Sequence, residues 1–428
     1  MSNKQFSRRN FLAAAGAAGL GARWVFGAPG QAKPKPVRIG IIGVGGRGSY
    51  HLRLVLAAGL EVPAVCDIVP SRTQRAIATV AKARGTKPEG YSNGPKDYTR
   101  MLARDDLDAV IVATPMQDHA YMCVDAMRAG KHVLCEVCAT VTVDECWDIV
   151  RAAEETGKIY MLAENYAYWY HCMTILNMVQ KGVFGDLTYG ECGYVHDCRG
   201  IYFKGDGSLT WRGELMRDFV GNWYTTHPVG PVCQWMGVNR GDCLTTLVSM
   251  NTRQAGIEHY AKKRFPEGHP GRNVRFKAGD SINTLIRTAN GAMIDLRFDA
   301  ASARPHPTTC YFGLQGLKAS YESRTQQIWI DGRSKGYRWE ALNHYAKEFE
   351  HPKWQSLRER SKGGNGDAPF VLQEFLEAIR TGGPAPVDVY DAAAWSAIIP
   401  LSAKSVTEGS RPQAIPDFTR GKWRTRKG

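Results

Sequence analysis

The chain has 428 residues, of which 43% are hydrophobic and 22% are charged, and its formal net charge is +14. This composition excludes a disordered, collagen-like or coiled-coil protein, and the length predicts two or three domains. Residues 1–28 hold four basic side chains and no acid, and five more basic residues lie in the last nine. Because no basic stripe alternates with aromatic residues, we expect no nucleic-acid partner and interpret the basic tail as solvated.

The N-terminus has the pattern of an export signal. Arg8-Arg9 precedes Phe11-Leu12 and a run of Ala and Gly over residues 13–22. Such a pattern is typical of twin-arginine signals, so we predict a signal peptide over residues 1–28 and a periplasmic or extracellular protein. A frayed basic terminus is the alternative. The run is too short and too rich in Gly and Ala to predict a membrane span.

The 11 cysteines form no recognisable disulfide framework, since they are scattered from Cys66 to Cys310. Cys135 and Cys138 make a Cys-x-x-Cys pair, for which a redox or metal role stays open. No second pair or histidine stands at zinc spacing, however, so we expect buried cysteines and no metal site.

A glycine-rich turn opens the folded part. The β-branched run over residues 37–42 leads into a G-x-G-x-x-G spacing, followed by a helical pattern from Tyr50 to Ala58 that ends at Gly59. In dinucleotide-binding folds such glycines allow a tight turn, a close approach of the pyrophosphate and close packing of helix on strand. The pyrophosphate is then expected at the helix N-terminus. We assign cofactor binding to Gly43, Gly45, Gly46, Arg47 and Gly48.

Asp67 follows a second predicted strand, over residues 61–66, and lies 19 residues beyond the last glycine of the turn. A carboxylate at this spacing binds the adenosine ribose and repels a 2′-phosphate, so we expect NAD. Arg72 is near enough to keep NADP open, and a glycine turn without nucleotide is the structural alternative.

Strands and helices alternate as far as residue 163, which predicts a doubly wound parallel sheet of the α/β class over residues 35–163. Predicted strands cover 108–113, 132–135 and 159–163, and Thr142 with Glu145 predicts a capping box. Ligands of such sheets gather at the carboxyl ends of the strands. The further residues assigned to the cofactor at these ends are Thr114, Pro115, His119, Glu136 and Asn165.

The second part, residues 164–428, changes to strands of period two. Asn290-Gly291 joins two of them with the favoured hairpin turn. We therefore predict an α+β substrate domain with a largely antiparallel sheet. Its expected strands cover 188–196, 244–250, 282–289, 293–298, 309–314 and 327–330, and its closing helices 368–380 and 392–406.

Two sets of motifs carry a family resemblance. Ala113-Thr114-Pro115 with His119, and Gly130–Glu136, resemble segments of the Gfo/Idh/MocA sugar oxidoreductases, whose usual Lys-Pro after the glutamate is replaced here by Val137-Cys138. A valine cannot move a proton. The remaining motifs are similar to glycoside hydrolase family 109, in which valine also follows the glutamate. These motifs are Glu164-Asn165-x-x-Tyr168, Tyr194–Arg199, Gly221–Pro231, Asn239–Asp242 and Pro416–Trp423.

This resemblance implies an NAD-dependent glycosidase of the α-N-acetylgalactosaminidase type with a carbohydrate substrate. In that chemistry the sugar is transiently oxidised at C3, the aglycone is eliminated, water adds and the hydride returns. The resemblance places Glu136, Tyr168, Tyr224 and His227 in the catalytic neighbourhood. His227, expected in a loop beside Pro228, is the acid–base candidate.

For the C2 proton we favour Tyr168 over Tyr166, although tyrosines at alternating spacing also suit core packing. His196 and Asp197 line the pocket or stabilise a turn, and Tyr224 shares the substrate. His306 is a further substrate candidate, at a place where the family is expected to have tyrosine.

The substrate therefore stays open between an N-acetylgalactosaminide, an α-galactoside and another glycoside, and Asn365 is a second departure from the family. The alternative function is a sugar oxidoreductase with tightly bound NAD(P). A protein that keeps nucleotide only structurally is the third. The sequence leaves homo-oligomerisation open.

Overall fold

The structure, a computed structural model, describes residues 36–305, 309–360 and 368–427. The predicted signal peptide, His306 and Asn365 lie outside these residues. The strands, β1 to β15 in chain order, are Ile39–Ile42, Ala64–Cys66, Glu89–Tyr91, Ala109–Val112, His132–Cys135, Tyr160–Leu162, Leu187–Val195, Leu244–Asn251, Ile282–Thr288, Met293–Asp299, Cys310–Gly316, Ala319–Glu322, Gln327–Ile330, Glu340–Ala341 and Gln413–Ala414.

The α-helices, α1 to α13, are Gly46–Ala57, Pro70–Arg84, Asp97–Leu102, His119–Arg128, Val143–Thr156, Tyr170–Gln180, Trp211–Asp218, Thr226–Trp235, Gly256–Arg264, Ala346–Phe349, Pro352–Arg360, Ala368–Thr381 and Val389–Thr407. Short 3-10 helices cover Met116–Asp118, Asn165–Tyr168, Arg199–Ile201, Pro270–Asn273, Leu342–Tyr345 and Lys422–Arg424. In the described part of the chain, no helix is long and apolar enough to cross a membrane.

Six parallel strands form the first sheet, in the order β3-β2-β1-β4-β5-β6. Strands β1, β4 and β5 are almost wholly buried, as expected for β-branched runs covered by helices on both faces. This is the doubly wound order that gathers ligands where it reverses, beside β1 and β4. The predicted α/β fold of the first part is confirmed.

The second sheet has nine strands, in the order β14-β13-β12-β11-β7-β10-β9-β8-β15. Every pair is antiparallel except β7 with β10, so the predicted α+β fold with a largely antiparallel sheet is confirmed. Helix α8 packs on β7 and β11, while α13 packs on β8 and on α5 of the first part. Helix α13 therefore forms part of the contact between the layer of the parallel sheet and the layer of the antiparallel sheet.

Two local expectations differ from the structure. Helix α1 begins at Gly46, inside the glycine turn, rather than at Tyr50. His227 lies in the first turn of α8 and not in a loop. The helix begins at Thr226 and Pro228 is its third residue. Proline is compatible with the first turn of a helix, where its missing N–H would have no partner, so Pro228 does not prevent this helix.

Arg420, Lys422 and Arg426 of the basic C-terminal segment form ion pairs, which the sequence did not predict, although the Arg420 and Lys422 side chains remain about half-exposed to solvent. Arg420 and Lys422 both bind Glu154 on α5, at 2.8 and 3.0 Å. Arg426 pairs with Asp388, the N-cap residue of α13. These ion pairs therefore connect the C-terminal segment to the layers of both sheets. The net charge of the sequence could not show which carboxylates are the partners.

A buried polar network anchors the start of α13. Asp391 is fully buried, completes the capping box with Asp388, and accepts hydrogen bonds from Arg240 Nη2 at 2.7 Å and Asn239 Nδ2 at 3.0 Å. The Arg240 side chain is 14% exposed. Removal of Asp391 would therefore leave a buried guanidinium without its main counter-charge.

We expect Asp391→Leu to lower the free energy of unfolding by about 3 kcal/mol or more, because breaking one half of a buried pair leaves the other uncompensated. Glu154→Gln is the control. Its pair is solvent-exposed, so its loss is expected to cost less than about 1 kcal/mol. Urea unfolding followed by circular dichroism measures both; equal losses would contradict the ranking.

Candidate active site

The glycine turn, Gly43–Gly48, leaves an open space above the N-terminus of α1, which we call the cradle. A Cβ on Gly48 would lie 1.7 Å from the Gly43 carbonyl oxygen, so no side chain fits there. A Cβ on Gly46 would meet nothing within 4 Å, and one on Gly45 only the Arg72 guanidinium at 3.8 Å. Gly45 caps the helix without any side-chain hydrogen bond. Space and exposed helix N–H groups are what a diphosphate needs.

Asp67 lies at the end of β2, against this turn. Its Oδ2 accepts from the Val44 backbone N–H at 3.0 Å and its Oδ1 from the Val69 N–H at 2.9 Å. Arg72 approaches the carboxylate to 3.7 Å and is about half-exposed. The acid is therefore fixed beside the cradle, at the position expected for a ribose-binding carboxylate.

Glu136, at the end of β5, is buried and held by two basic side chains of α1. Its Oε1 lies 2.9 Å from Arg47 Nε and 2.6 Å from His51 Nε2. Burial alone would raise the pKa of Glu136, but the His51 hydrogen bond and the Arg47 charge lower it well below its ordinary value. The carboxylate stays ionised at any working pH and joins β5 to the glycine-turn helix.

His119 lies behind the cradle rather than facing it. Its ring nitrogens contact the carbonyl oxygens of Cys138 at 2.7 Å and Thr114 at 2.9 Å. Burial lowers the pKa of His119, yet the Cys135 sulfur and the two carbonyls outweigh it and raise the pKa to about 9. His119 thus joins the ends of β4 and β5, beside Pro115, which caps the 3-10 helix at Met116. Its effect on a bound ligand would be indirect.

A second group of residues, which we call the His227 group, consists of His227, Glu164, Tyr224, Tyr166 and Tyr194. His227 Nδ1 lies 2.8 and 3.0 Å from the two carboxylate oxygens of Glu164, and its Nε2 lies 3.4 Å from the Tyr224 hydroxyl. The Tyr166 ring is 4.4 Å from the imidazole, and Tyr194 is 5.0 Å from the Tyr224 ring, measured between centroids. Carboxylate, imidazole and phenol therefore form one chain, lined by aromatic rings.

The phenols of this group are poor acids. Burial raises the pKa of Tyr166, Tyr194 and Tyr224 above the ordinary tyrosine value, against the opposing charge of Arg212 in the case of Tyr224. A tyrosine here moves a proton only when a neighbouring base receives it. His227 Nε2 is placed to do so for Tyr224, and long hydrogen bonds are common before substrate binds.

The two groups adjoin each other. Burial is the main cause of the raised pKa of Tyr224, but the charge of Glu136 also contributes, and Tyr224 in turn acts on Arg47. Asn165 follows Glu164 directly, at the end of β6. The cradle and the His227 group therefore lie at the same carboxyl edge of the parallel sheet. The residues predicted from the ends of strands and the residues predicted from the family motifs meet at this edge.

Tyr168 is not brought to His227. Its ring stacks on Phe370 with centroids 6.0 Å apart, and its carbonyl accepts from the Trp354 indole at 3.0 Å. The hydroxyl is buried, and none of the described residues offers it a hydrogen-bond partner. Tyr168 therefore lies in another aromatic cluster, and Tyr166 is the tyrosine beside the imidazole.

The other substrate candidates border the His227 group. The His196 ring lies 5.9 Å from Tyr194, while Asp197 binds Arg199 at 2.7 Å and so stabilises its own turn. His306 lies outside the described residues, but the nearby Thr309 accepts a hydrogen bond from the Tyr166 hydroxyl at 3.0 Å. Among described residues, no cluster of His, Cys, Asp or Glu could hold a metal.

The sequence analysis did not predict three partners of the site residues. His51 binds Glu136, Tyr194 packs against Tyr224, and Glu164 binds His227. Tyr194 stood in a quoted motif, and Glu164 at a predicted strand end. His51 is one helical turn from Arg47, which places both on one face of α1, and this i, i+4 spacing was the available signal. No spacing indicates that Glu164 contacts His227.

Comparisons with known proteins identify the family of both parts of the chain. Residues 37–164 match the model of the oxidoreductase family with an NAD-binding Rossmann fold, and residues 168–425 match the glycosyl hydrolase 109 C-terminal domain. A glycosyl hydrolase family 109 protein of Solibacter usitatus is 40% identical, covering 98% of this chain and 99% of that one. An alpha-N-acetylgalactosaminidase of Tannerella forsythia is 34% identical, covering 97% of each.

Solved structures show the same fold at low identity. Levoglucosan dehydrogenase in complex with NADH is 19% identical with a TM-score of 0.69, covering 89% of this chain and 100% of that one. The WlbA dehydrogenase of Bordetella pertussis, in complex with NADH and UDP-GlcNAcA, is 16% identical with a TM-score of 0.63, covering 90% and 99%. Given the match over both parts and the full-length relatives, the chain belongs to glycosyl hydrolase family 109.

Proposed function

We propose that this protein is an NAD-dependent glycosidase that cleaves an α-N-acetylgalactosaminide or a related glycoside by transient oxidation of the sugar. One observation carries the proposal. Among the described residues, the carboxylates that contact the predicted proton-transfer and glycine-turn side chains, Glu164 and Glu136, are buried and bound by basic side chains. Neither has the exposure that a nucleophile or a proton donor at a glycosidic bond needs, so an ordinary two-carboxylate mechanism is disfavoured.

The described residues fit a nicotinamide dinucleotide. The open space over Gly45 and Gly46 suits the diphosphate, and Asp67 suits the adenosine ribose while disfavouring a 2′-phosphate. When bound, the cofactor would take a hydride from C3 of the sugar and later return it. Val137 is 6% exposed and apolar, so the chain supplies no lysine at that place for a plain dehydrogenation.

We assign the proton transfers of this reaction to the His227 group. His227 Nε2, through Tyr224, receives the proton of the C3 hydroxyl as that carbon becomes a ketone. The ketone acidifies C2, whose proton is removed as the aglycone leaves C1. Tyr166 lies beside the imidazole and Tyr168 does not. Tyr166 can accept this second proton only as a phenolate, so its own hydroxyl proton must first pass to a base. Water then adds its hydroxyl group at C1, and its remaining proton neutralises the departed aglycone oxygen. The same groups return the other two protons to C2 and to the oxygen on C3.

Incubation of purified protein with nitrophenyl glycosides in D2O, without added NAD, is expected to release the aglycone and place deuterium at C2. The reason is that the C2 proton is exchanged while the C3 ketone exists. Mass spectrometry and NMR of the sugar measure the label. His227→Gln is expected to lower release by about 10²-fold or more. A keto sugar with its glycosidic bond intact, together with reduced cofactor, would favour the sugar oxidoreductase instead.

Asp67→Asn is expected to weaken NAD binding roughly 10- to 100-fold, because a charge-assisted hydrogen bond to the ribose is lost. The same change should raise the ratio of NADP to NAD affinity, since the carboxylate no longer repels a 2′-phosphate. Calorimetric titration of stripped protein measures both affinities. Asp106→Asn, at an exposed pair with Arg104, is the matched control. Unchanged discrimination would exclude Asp67 from the ribose site.

We also propose export by the twin-arginine route, on the strength of the Arg8-Arg9 motif. Because this route carries folded proteins, the cofactor would be inserted before export. The double variant Arg8→Lys, Arg9→Lys should keep the protein in the cytoplasm, whereas Lys4→Arg should not. Fractionation of a bacterial host and immunoblotting measure the distribution. Equal export of both variants would contradict the proposal.

A further inference from the structure

Glu164 has an unusual set of surroundings for a carboxylate. It is fully buried, at the end of β6, and its side chain reaches α8 of the other sheet's layer. The Tyr166 backbone N–H donates to its Oε1 at 3.0 Å. The remaining contacts of both oxygens are with His227 Nδ1, at 2.8 and 3.0 Å. No described residue other than these two donates a hydrogen bond to the carboxylate.

This geometry fixes the proton on one ring nitrogen of His227. An ionised carboxylate only accepts hydrogen bonds, so Nδ1 must carry the proton. The lone pair of the neutral ring is then on Nε2, which faces the Tyr224 hydroxyl at 3.4 Å. With the opposite tautomer, Nδ1 and the carboxylate would both be acceptors in contact, and Nε2 could not receive a proton.

Gly230 makes the contact possible. It lies one helical turn after His227 on α8, and a Cβ there would be 3.0 Å from Glu164 Cγ and 3.1 Å from Trp395 Cζ3. A glycine inside a helix is unfavourable, so its presence needs a reason in packing. Here it leaves room for the carboxylate beneath the imidazole.

We propose that Glu164 is a positioning residue, which holds the proton on His227 Nδ1 and stabilises the imidazolium formed when Nε2 takes the substrate's proton. This inference rests on the proposed function. The proton of the C3 hydroxyl passes through Tyr224 to Nε2 as C–O becomes C=O; an oxidised nicotinamide, when bound, would accept the C3 hydride. No bond to Glu164 is made or broken.

The first test reads the tautomer without substrate. Protein with its native cofactor is labelled with ¹⁵N-histidine, and His227 is identified by the signals that vanish in His227→Gln. The wild type is expected to show a protonated Nδ1 and an unprotonated Nε2 when the ring is neutral. Glu164→Leu should lose this preference. A wild-type ring protonated on Nε2 instead would overturn the proposal.

The second test is kinetic. Glu164→Gln keeps the shape but removes the charge, so kcat for aglycone release should fall roughly 10- to 100-fold with KM little changed. Gly230→Ala should act in the same direction by displacing an intact Glu164. Glu154→Gln, the same substitution at a surface carboxylate, should leave kcat unaltered. Wild-type kcat in Glu164→Gln would overturn the proposal.

The two proposals fail differently. If wild-type protein releases no aglycone and incorporates no deuterium, the glycosidase mechanism is wrong, yet the tautomer of His227 still decides whether Glu164 fixes the ring. Retained nucleotide and circular dichroism confirm that each variant is folded. If Glu164→Leu does not fold, Glu164→Gln and Gly230→Ala still decide the kinetic question.

Discussion

A single hydrogen-bonded pair between a buried carboxylate and an imidazole joins the two parts of the molecule at the place where their chemistry meets. Glu164 ends the last parallel strand, and His227 begins a helix that packs on the antiparallel sheet. Neither partner is stable there alone, because burying one without the other leaves an unpaired polar group. The pair therefore fixes the direction of the imidazole and adds to the contact that α13 makes between the two layers.

A buried carboxylate at a strand end also binds basic side chains at the glycine turn, where the cofactor is expected. Glu136 ends another parallel strand and binds Arg47 and His51 of the glycine-turn helix. Two strand-end carboxylates thus each hold basic groups, one on the dinucleotide cradle and one on the acid–base chain. Because both lie at one edge of the same sheet, the two halves of the site are fixed relative to a common rigid element. This arrangement suits the proposed reaction, in which a hydride would leave C3 while a proton leaves the hydroxyl oxygen on that carbon.

Much of the fold could be predicted from sequence, since β-branched runs, glycine spacing and caps act locally. The bounds of β5 and β13 agree with the prediction, and the Thr142–Glu145 capping box is present. Residues at strand ends could be expected to gather for the same reason. The pairing of Glu164 with His227 spans 63 residues and leaves no pattern in the sequence.

The tyrosines show why local patterns also mislead. Residues 166 and 168 would share a face in a strand, but they lie in a 3-10 helix, where three residues make a turn and positions two apart diverge. Their rings therefore enter different clusters. His227 was expected in a loop because Pro228 follows it, whereas the first turn of a helix accepts proline.

The docked C-terminal segment has a consequence for how the molecule is made. Glu154 belongs to the first layer to leave the ribosome, but its cationic partners follow 266 and 268 residues later. During synthesis Glu154 therefore remains without these two partners until residues 420 and 422 have been made and have reached the first layer.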